Sequence, residues 1–273
     1  TTPTFTGTAE ADSTVELFSL NIATISDGYS SIGTTTADGN GEWSFKPSSV
    51  IGHGFFNITA KATNSLGKTS GSSPWLRIFI DTSVPKAPSS LTNTSLGNDS
   101  TPTITGIVQP GSIVKLFNGS TLLGSSTLDS SNSVFSITST TLSDGNYSLT
   151  AIATDAAGNI SSPSSSLSIT IDTTAPNAPS SLTNTSLGND KTPTITGIAE
   201  AGSIVKLFNG STLLGSSTTD NNGAFSITAS ALADGSYSLT TTATDSLGNT
   251  SVSSSALSIT VDTTAPITPT SLT

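Results

Sequence analysis

The chain has 273 residues and a formal net charge of −10, with 18 acidic and 8 basic side chains, and it contains no cysteine and no methionine. The acidic balance argues against nucleic acid as a partner, because nucleic-acid binding needs a basic patch. The lack of cysteine excludes disulfides and thiolate metal sites. No apolar run is long enough to cross a bilayer, so no membrane insertion is expected. With neither an initiator methionine nor a secretion signal, the sequence is expected to be an internal fragment of a longer protein, and a monomer.

The chain consists of three copies of one unit. IDTSVP (80–85), IDTTAP (171–176) and VDTTAP (261–266) recur at intervals of about 90 residues, and internal repetition of this kind sets the domain number ahead of chain length. We therefore predict a diverged repeat without its first strand at 1–84, and further repeats at 85–175 and 176–265. Residues 266–273 are expected to be the start of a following unit or a trailing strand.

Alternation of polar and apolar residues predicts seven short strands, lettered A to G, in each repeat. In the third repeat they are PSSLTNT (179–185), TPTITGI (192–198), SIVKLF (203–208), STLLGSST (211–218), AFSIT (224–228), SYSLTTTAT (236–244) and ALSITV (256–261). Asn209-Gly210 predicts a hairpin with a type I′ turn, and no window has helical spacing. The fold class is therefore all-β: three tandem immunoglobulin-like antiparallel β-sandwiches. An odd strand number places the two chain ends at opposite ends of each unit, which predicts an elongated rod.

Aromatic residues at matching positions support the sandwich. Tyr147 and Tyr237 stand where such folds place a tyrosine corner, and Phe56 replaces them in the first repeat without a hydroxyl group. The core is expected to contain Phe117 with Phe135 and Phe208 with Phe225, with Trp43 in the place of Phe135 in the first repeat.

The strand order gathers acidic turn residues at the joint between the second and third repeats. The BC, DE and FG turns of the third repeat and the linker before it carry Glu200, Asp220, Asp245 and Asp172, and the AB and EF turns of the second repeat add Asp99 and Asp144. The joint between the first and second repeats has Asp81, Asp129 and Asp155, with Gln109 in the place of Glu200. The outer ends have Glu10, Asp12 and Asp38 in the first repeat, with Asn64 in its FG turn, and Asp190, Asp234 and Asp262 at the trailing end of the third repeat.

Two interpretations of these acids remain open. Aspartate beside glycine is an ordinary turn residue, which bonds to nearby backbone groups. A set of carboxylates brought to one joint is costly without counter-charges, and the chain has only 8 basic residues. A Ca²⁺ ion, which takes 6–8 oxygen ligands, would resolve this repulsion. The second interpretation makes Asp172 a ligand of an ion that bridges two repeats, with Pro176 limiting the linker.

The motifs as a set resemble the bacterial Ig-like repeats of giant type I-secreted, non-fimbrial adhesins. DTTAP, TPTITG, VKLFNGSTLLG and ATDxxGN carry the resemblance, which covers all three repeats. It implies Ca²⁺ at the domain joints, a long stiff stalk at the bacterial surface, and contact with host cells or biofilm. By motif it extends to the linker aspartates Asp81, Asp172 and Asp262, the FG aspartates Asp155 and Asp245, and the DE aspartates Asp38, Asp129 and Asp220.

Other functions receive less support from the sequence. His53 is the only histidine, so a histidine-based catalytic triad or zinc cluster is excluded, and no enzyme is predicted. Trp75 is expected to pack in the sheet; if exposed, it would mark a contact with host glycans or glycoproteins, for which the insert 21–30 is a second candidate. The alternatives to a stalk are a glycan-binding tip and an accessory module of a secreted polysaccharide-degrading enzyme.

Overall fold

The computed structural model describes residues 2–268 and residue 270, so part of the predicted trailing strand at 266–273 lies outside the described residues. The described chain is built of β-strands and one short 3-10 helix. The first repeat contains β1 (Phe5–Thr8), β2 (Thr14–Asn21), the 3-10 helix (Ile22–Asp27), β3 (Ser30–Thr36), β4 (Glu42–Phe45), β5 (Gly54–Thr63) and β6 (Leu76–Ile80). No helix in the described residues is both long and apolar enough to cross a membrane.

The second and third repeats each contain the seven predicted strands. The second has β7 (Ser89–Asn93), β8 (Thr103–Ile107), β9 (Ile113–Asn118), β10 (Thr121–Thr127), β11 (Val134–Thr138), β12 (Gly145–Thr154) and β13 (Leu167–Ile171). The third has β14 (Ser180–Asn184), β15 (Thr194–Ile198), β16 (Ile204–Asn209), β17 (Thr212–Thr218), β18 (Ala224–Thr228), β19 (Gly235–Thr244) and β20 (Leu257–Val261). The all-β prediction is confirmed, because each repeat forms an antiparallel sandwich.

Each complete sandwich packs a three-stranded sheet on a four-stranded sheet. In the third repeat the order is β14-β15-β18 in one and β17-β16-β19-β20 in the other. The second repeat repeats this order, whereas the smaller sheet of the first repeat has only β1 and β4. Strand alternation sets which side chains face inward: Val205 and Leu207 are fully buried while Ile204 is 46% exposed.

The prediction that Phe117 and Phe208 belong to the core is wrong. Phe135 and Phe225 are buried in the cores of their repeats, but Phe117 and Phe208 are only half-buried. Phe208 lies on the same outward face of β16 as the exposed Ile204, because alternate residues of a strand share a face. In the first repeat, Trp43 packs against the core but is also only half-buried.

Two local structures differ from their predicted forms. The hairpin at Asn209-Gly210 is present, but Asn209 pairs with Thr212, so the two loop residues are Gly210 and Ser211. Only Gly210 has a positive φ, of 59°, which is typical of a type II′ turn and not of type I′. The corresponding connection in the first repeat is longer and contains the 3-10 helix, which the sequence pattern did not predict.

The tyrosine corners are confirmed. The Tyr237 hydroxyl donates a hydrogen bond to the carbonyl oxygen of Ala233 at 2.8 Å, and the Tyr147 hydroxyl donates to the carbonyl oxygen of Ser143 at 2.8 Å. Each bond fixes the EF turn to the start of strand F. Phe56 is buried at the same position in the first repeat, where the ring supplies packing without that bond.

A glycine in strand B lies under the aromatic ring of strand E in every repeat. A Cβ atom on Gly197 would lie 2.6 Å from Cζ of Phe225 and 2.9 Å from the carbonyl oxygen of Ser180. Gly106 stands in the same relation to Phe135, and Gly7 to Trp43. The TPTxTG motif therefore needs a residue without a side chain where the ring crosses the strand.

We expect Gly197→Ala to destabilise the third repeat by about 1–3 kcal/mol, because the new methyl group overpacks the ring and the strand-A backbone. Thermal unfolding measures this as a lower melting temperature for that transition. Gly188→Ala is the matched control, since its Cβ would meet only the carbonyl oxygen of Thr260 at 3.7 Å. Equal melting temperatures for the two variants would contradict the assignment.

Candidate functional site

The DE-turn aspartates hold their own turns. The Asp220 Oδ1 atom accepts hydrogen bonds from the backbone N–H groups of Asn222 and Ala224, at 2.8 and 2.9 Å. Asp38 does the same for Asn40 and Glu42, and Asp129 accepts bonds from Ser131 and Asn132. These bonds satisfy N–H groups that have left the sheet, which is the ordinary role of aspartate in a turn.

The FG turns use the same arrangement. Asp245 Oδ1 accepts hydrogen bonds from the N–H groups of Leu247 and Asn249, at 2.8 and 2.9 Å. Asp155 does so in the second repeat. In the first repeat the amide oxygen of Asn64 accepts the equivalent two bonds. A neutral oxygen thus replaces the carboxylate here, so the turn itself requires an acceptor and not a charge.

The side-chain amide of Asn249 crosses the joint between the second and third repeats. Its Nδ2 atom donates to Oδ2 of Asp245 at 2.8 Å and to the backbone carbonyl oxygen of Asp172, in the linker, at 2.7 Å. The Asn249 residue is 8% exposed, so water competes little for these bonds. The two hydrogens of the Asn249 amide are thus both donated. The bond to Asp245 orients the amide, and the bond to the Asp172 carbonyl holds the preceding linker.

The AB turn of the second repeat forms the other half of this joint. The Gly97 carbonyl oxygen accepts a hydrogen bond of 3.0 Å from the N–H group of Asp172. Leu247 of the third repeat packs so closely on Gly97 that an added Cβ would lie 2.5 Å from its Cδ2 atom, and Asn98 lies against Gly248. Pro176 of the linker is buried. Both repeats and the linker therefore contact one another here.

The joint between the first and second repeats is built from the same bond with less packing. Nδ2 of Asn159 donates to Oδ2 of Asp155 at 2.9 Å and to the carbonyl oxygen of Asp81 at 3.2 Å. Ala157, which is exposed, stands in the place of Leu247.

The linkers are also held at the trailing end of each repeat. Asp144 Oδ1 accepts hydrogen bonds from the N–H and hydroxyl groups of Thr173, and its Oδ2 accepts one from Thr174. Asp234 likewise binds the hydroxyl groups of Thr263 and Thr264. The linker aspartates Asp81, Asp172 and Asp262 each accept a bond from the N–H group two residues on.

His53 performs this role in the first repeat, where the EF turn has no acid. Its Nδ1 atom accepts a hydrogen bond of 3.3 Å from the N–H group of Thr82 and lies 3.4 Å from Oδ1 of Asp81. The sequence analysis assigned His53 no role at a joint. The signal was present in the alignment of the repeats, because His53-Gly54 occupies the position of Asp144-Gly145 and Asp234-Gly235.

The remaining acidic residues predicted as metal ligands take no part in the hydrogen bonds that join the repeats. Asp99 and Asp190 bind the backbone and hydroxyl groups of Thr101 and Thr192 inside their own AB turns. Asp12 has a positive φ of 61°, which the short aspartate side chain tolerates in a turn. Glu10 and Glu200 contribute backbone carbonyl oxygens to the BC turn, where Ser13 and Ser203 donate to them. All these contacts support the turn interpretation.

Hydrogen bonding lowers the pKa of several of these carboxyl groups. The N–H group of Thr173 and the hydroxyl groups of Thr174 and Thr173 lower the pKa of Asp144 below its ordinary value. Burial by itself raises the pKa of Asp245, but hydrogen bonds from Asn249 and Leu247 outweigh it, so the pKa is lowered. The balance is the same at Asp155, and hydrogen bonds lower the pKa of Asp99, Asp129, Asp190 and Asp234.

The joint carboxylates provide the hard oxygen atoms that Ca²⁺ takes, but they do not form a cage. Within residues 2–268 and 270, no group of three or more acidic or histidine side chains is arranged to hold a metal ion. Both oxygens of Asp245 already accept N–H bonds, and the linker carbonyl faces an amide N–H group. Protein contacts join the repeats in this structure, and calcium binding stays a prediction.

The outer face of the first repeat carries an aromatic cluster of Phe55 and Phe79 with Arg77 beside them. Phe55 and Phe79 are paired across β5 and β6 with ring centroids 4.6 Å apart, and the Arg77 guanidinium lies 5.2 Å from the Phe55 centroid. The expectation that Trp75 packs in the sheet is wrong: it is 59% exposed and precedes β6. Equivalent pairs in the other repeats are Asn146 with Thr170 and Ser236 with Thr260.

Comparisons with known proteins identify the type of repeat. A family model described as "Bacterial Ig-like domain" matches residues 1–82, 89–173 and 178–263. These ranges lie within the three units expected from the sequence. No curated protein sequence matches the chain significantly.

Several solved structures are similar to the chain at low identity. The FN1-FN3 domains of chicken CNTN1 share 15% identity over 95% of this chain and 94% of that chain, with a TM-score of 0.44. The BSP domain of a biofilm associated protein shares 16% identity over 94% of this chain and 61% of that chain, with a TM-score of 0.27. The fibronectin(III)-like modules of Clostridium thermocellum CbhA share 20% identity over 63% and 94%, with a TM-score of 0.42. At these values the similarities identify no function.

We expect the stability of the repeats to fall in acid. A carboxyl group whose pKa is lower in the folded chain stabilises it fully above the unfolded value of about 3.9, and the contribution is lost as the pH falls through the folded pKa. Thermal unfolding monitored by circular dichroism should therefore give steady melting temperatures down to about pH 5 and a decline below about pH 4. Melting temperatures that stay constant or rise below that pH would contradict the lowered pKa values.

Proposed function

Because the chain belongs to the bacterial Ig-like domain family, we propose that it is a stalk segment of a large secreted adhesin at the bacterial surface. Such a stalk holds a distant binding domain away from the cell, in contact with host cells or biofilm. One observation supports this most directly: at each joint an asparagine of one repeat is hydrogen-bonded to the linker carbonyl of the repeat before it. These bonds oppose bending, which is what a stalk requires.

The chemistry of the joints suits a spacer better than a catalyst. The acidic side chains are distributed over the turns and engaged in holding them, and His53 is bonded to a linker N–H group. No lysine or arginine in the described residues forms an ion pair with a carboxylate. The joints therefore depend on hydrogen bonds and apolar packing, which salt screens less than exposed ion pairs.

We expect Asn249→Ala to loosen the joint between the second and third repeats, because Asp245 Oδ2 and the Asp172 carbonyl oxygen lose their donor. The loss should be about 2 kcal/mol, as one of the two bonds is to a charged group. Backbone ¹⁵N relaxation of the full chain measures it as separate tumbling of these two repeats.

Asn222→Ala is the control for this variant, because Asn222 is an exposed turn residue whose side chain makes no hydrogen bond with the described residues. It should leave the relaxation rates at their wild-type values. The stalk proposal fails if the two repeats already tumble independently in the wild-type chain, or if Asn249→Ala and Asn222→Ala behave alike.

A more specific version of the proposal is that bound Ca²⁺ stiffens the joints. It is favoured by oxygens that accept no hydrogen bond from the described residues: one carboxylate oxygen each of Asp172 and Asp220, and both of Glu200. Taken together with the linker carbonyl of Asp172, these are ligands of the type that Ca²⁺ prefers. For these oxygens to meet around an ion, the Asn249 amide would have to leave that carbonyl.

We expect added calcium to raise the melting temperature of the wild-type chain saturably, because ligand binding to the folded state alone stabilises it by mass action. A chelator should reverse the shift, and Asp172→Asn with Glu200→Gln should remove it. Magnesium at the same concentration controls for ionic strength, since its small octahedral shell suits such a site poorly. An unchanged melting temperature in calcium would leave the protein contacts as the link between repeats.

A second candidate function is ligand contact through the aromatic cluster of the first repeat. The observation that favours it is the exposure of Phe55 and Phe79, at 49% and 50%, where the other repeats have small polar residues. Exposed rings with an adjacent guanidinium offer stacking surfaces to sugars of a host glycan or glycoprotein. On a glycan array, Phe55→Asn with Phe79→Thr, the second-repeat residues, should remove any signal of the wild-type chain. A signal that persists would exclude the cluster.

A further inference from the structure

The four-stranded sheet of the first repeat carries on its outward face an arginine that makes no polar contact with the described residues. Arg77 is the only arginine in the sequence, and it is exposed on β6, an outer strand in the order β3-β2-β5-β6. Its guanidinium forms no ion pair with a described carboxylate. The Oδ1 atom of Asn57, directly across on β5, is buried without a donor, so Arg77 does not donate to it either. The N–H donors of this side chain are therefore available to a ligand.

Aromatic rings fix the position of this guanidinium. It lies 5.2 Å from the ring centroid of Phe55, within the distance of a cation–π contact. The Phe55 and Phe79 rings are 4.6 Å apart between centroids, and the His53 ring packs edge-on against Phe79 at 5.5 Å. The positive group and the Phe79 ring are thus held side by side before any ligand arrives, which lowers the entropic cost of binding.

The second and third repeats keep the strand pairing without the arginine. In the place of Arg77 and its cross-strand neighbour they have two serines, Ser168 with Ser148 in the second repeat and Ser258 with Ser238 in the third. The register of strands F and G is otherwise the same in all three repeats. The sheet therefore does not require an arginine beside two exposed rings, and an exposed apolar patch that the fold does not require is typical of an interaction site.

The guanidinium and the Phe79 ring suit two different parts of one ligand. The planar guanidinium matches a carboxylate, to which it can donate two parallel hydrogen bonds. The Phe79 ring is 50% exposed and offers a flat apolar surface. A sugar acid combines both requirements, because its rigid ring presents C–H groups on one face and carries a carboxylate at its edge. An acidic peptide has the carboxylate but lacks the flat apolar face.

We propose that this face of the first repeat binds a carboxylate-bearing sugar of an acidic polysaccharide, an inference that deepens the second candidate function and rests on it. The Arg77 guanidinium binds the carboxylate, and the Phe79 ring stacks on the C–H face of the sugar. The contact is local, since the chain as a whole has a net charge of −10 and does not attract polyanions. Sugar acids of this kind occur in bacterial polysaccharides and in host glycosaminoglycans, and the recognition chemistry is the same for both.

Isothermal titration calorimetry of the full chain in calcium-free buffer tests the proposal with two uronate oligosaccharides. Oligomannuronate represents a bacterial polymer and a hyaluronan oligosaccharide a host polymer, and binding of either supports the proposal and identifies the source. Arg77→Ser, the serine being the residue of the other repeats, should weaken that binding roughly tenfold or more, because a charge-assisted contact is lost. Lys115→Ser is the matched control: it removes the same charge from an exposed position of the second repeat and should leave the binding unchanged.

Two further probes separate the carboxylate from the sugar ring. Methyl-esterified oligomannuronate keeps the rings without the charge, polyglutamate keeps carboxylates without the rings, and neither should bind as the uronates do. The inference is overturned if neither uronate binds, if Arg77→Ser and Lys115→Ser bind alike, or if polyglutamate binds as tightly. Binding that survives esterification but is lost in Phe55→Asn with Phe79→Thr would also overturn the carboxylate contact, while it would leave the second candidate function standing.

Discussion

The structure depends on one requirement, that backbone N–H groups leaving a sheet must still find acceptors. In the FG turn of the third repeat, Oδ1 of Asp245 accepts two such groups and thereby fixes the direction of Oδ2. That second oxygen holds the amide of Asn249, whose other hydrogen reaches the linker carbonyl of Asp172. The bond that shapes the turn thus also determines how one repeat meets the next. The contacts that hold the turn and the contacts that join the repeats therefore share one aspartate.

The two joints share the asparagine hydrogen bond but differ in their apolar packing. The asparagine bridge is present in both, but only the second joint adds the contact of Leu247 with Gly97. The half-buried Leu247 adds apolar contact that a hydrogen bond alone does not provide. At the joint between the first and second repeats, the exposed Ala157 stands in the place of that leucine.

The diverged first repeat shows which features are essential. Asn64 replaces an aspartate in the FG turn and His53 replaces one in the EF turn, yet both still accept backbone N–H bonds. The conserved feature is therefore the acceptor, and the charge is dispensable. By contrast, the aromatic cluster occurs in the first repeat alone among the described residues, because its outer strands carry Phe55 and Phe79 where the other repeats have small polar residues. The second candidate function therefore concerns the first repeat only.

The sequence by itself determined the repeats, the strands and the tyrosine corners, because each follows from patterns a few residues long: a period of two, a glycine at a turn, a tyrosine at the start of strand F. It also identified which turns carry acids. Tertiary structure decided which groups those acids bind, turned Phe117 and Phe208 outward, exposed Trp75 and gave His53 its partner. The bridge of Asn249 to Asp172 joins residues 77 positions apart. Such a contact depends on how two folded units are placed in space, and a local pattern of residue types contains no information on that distance.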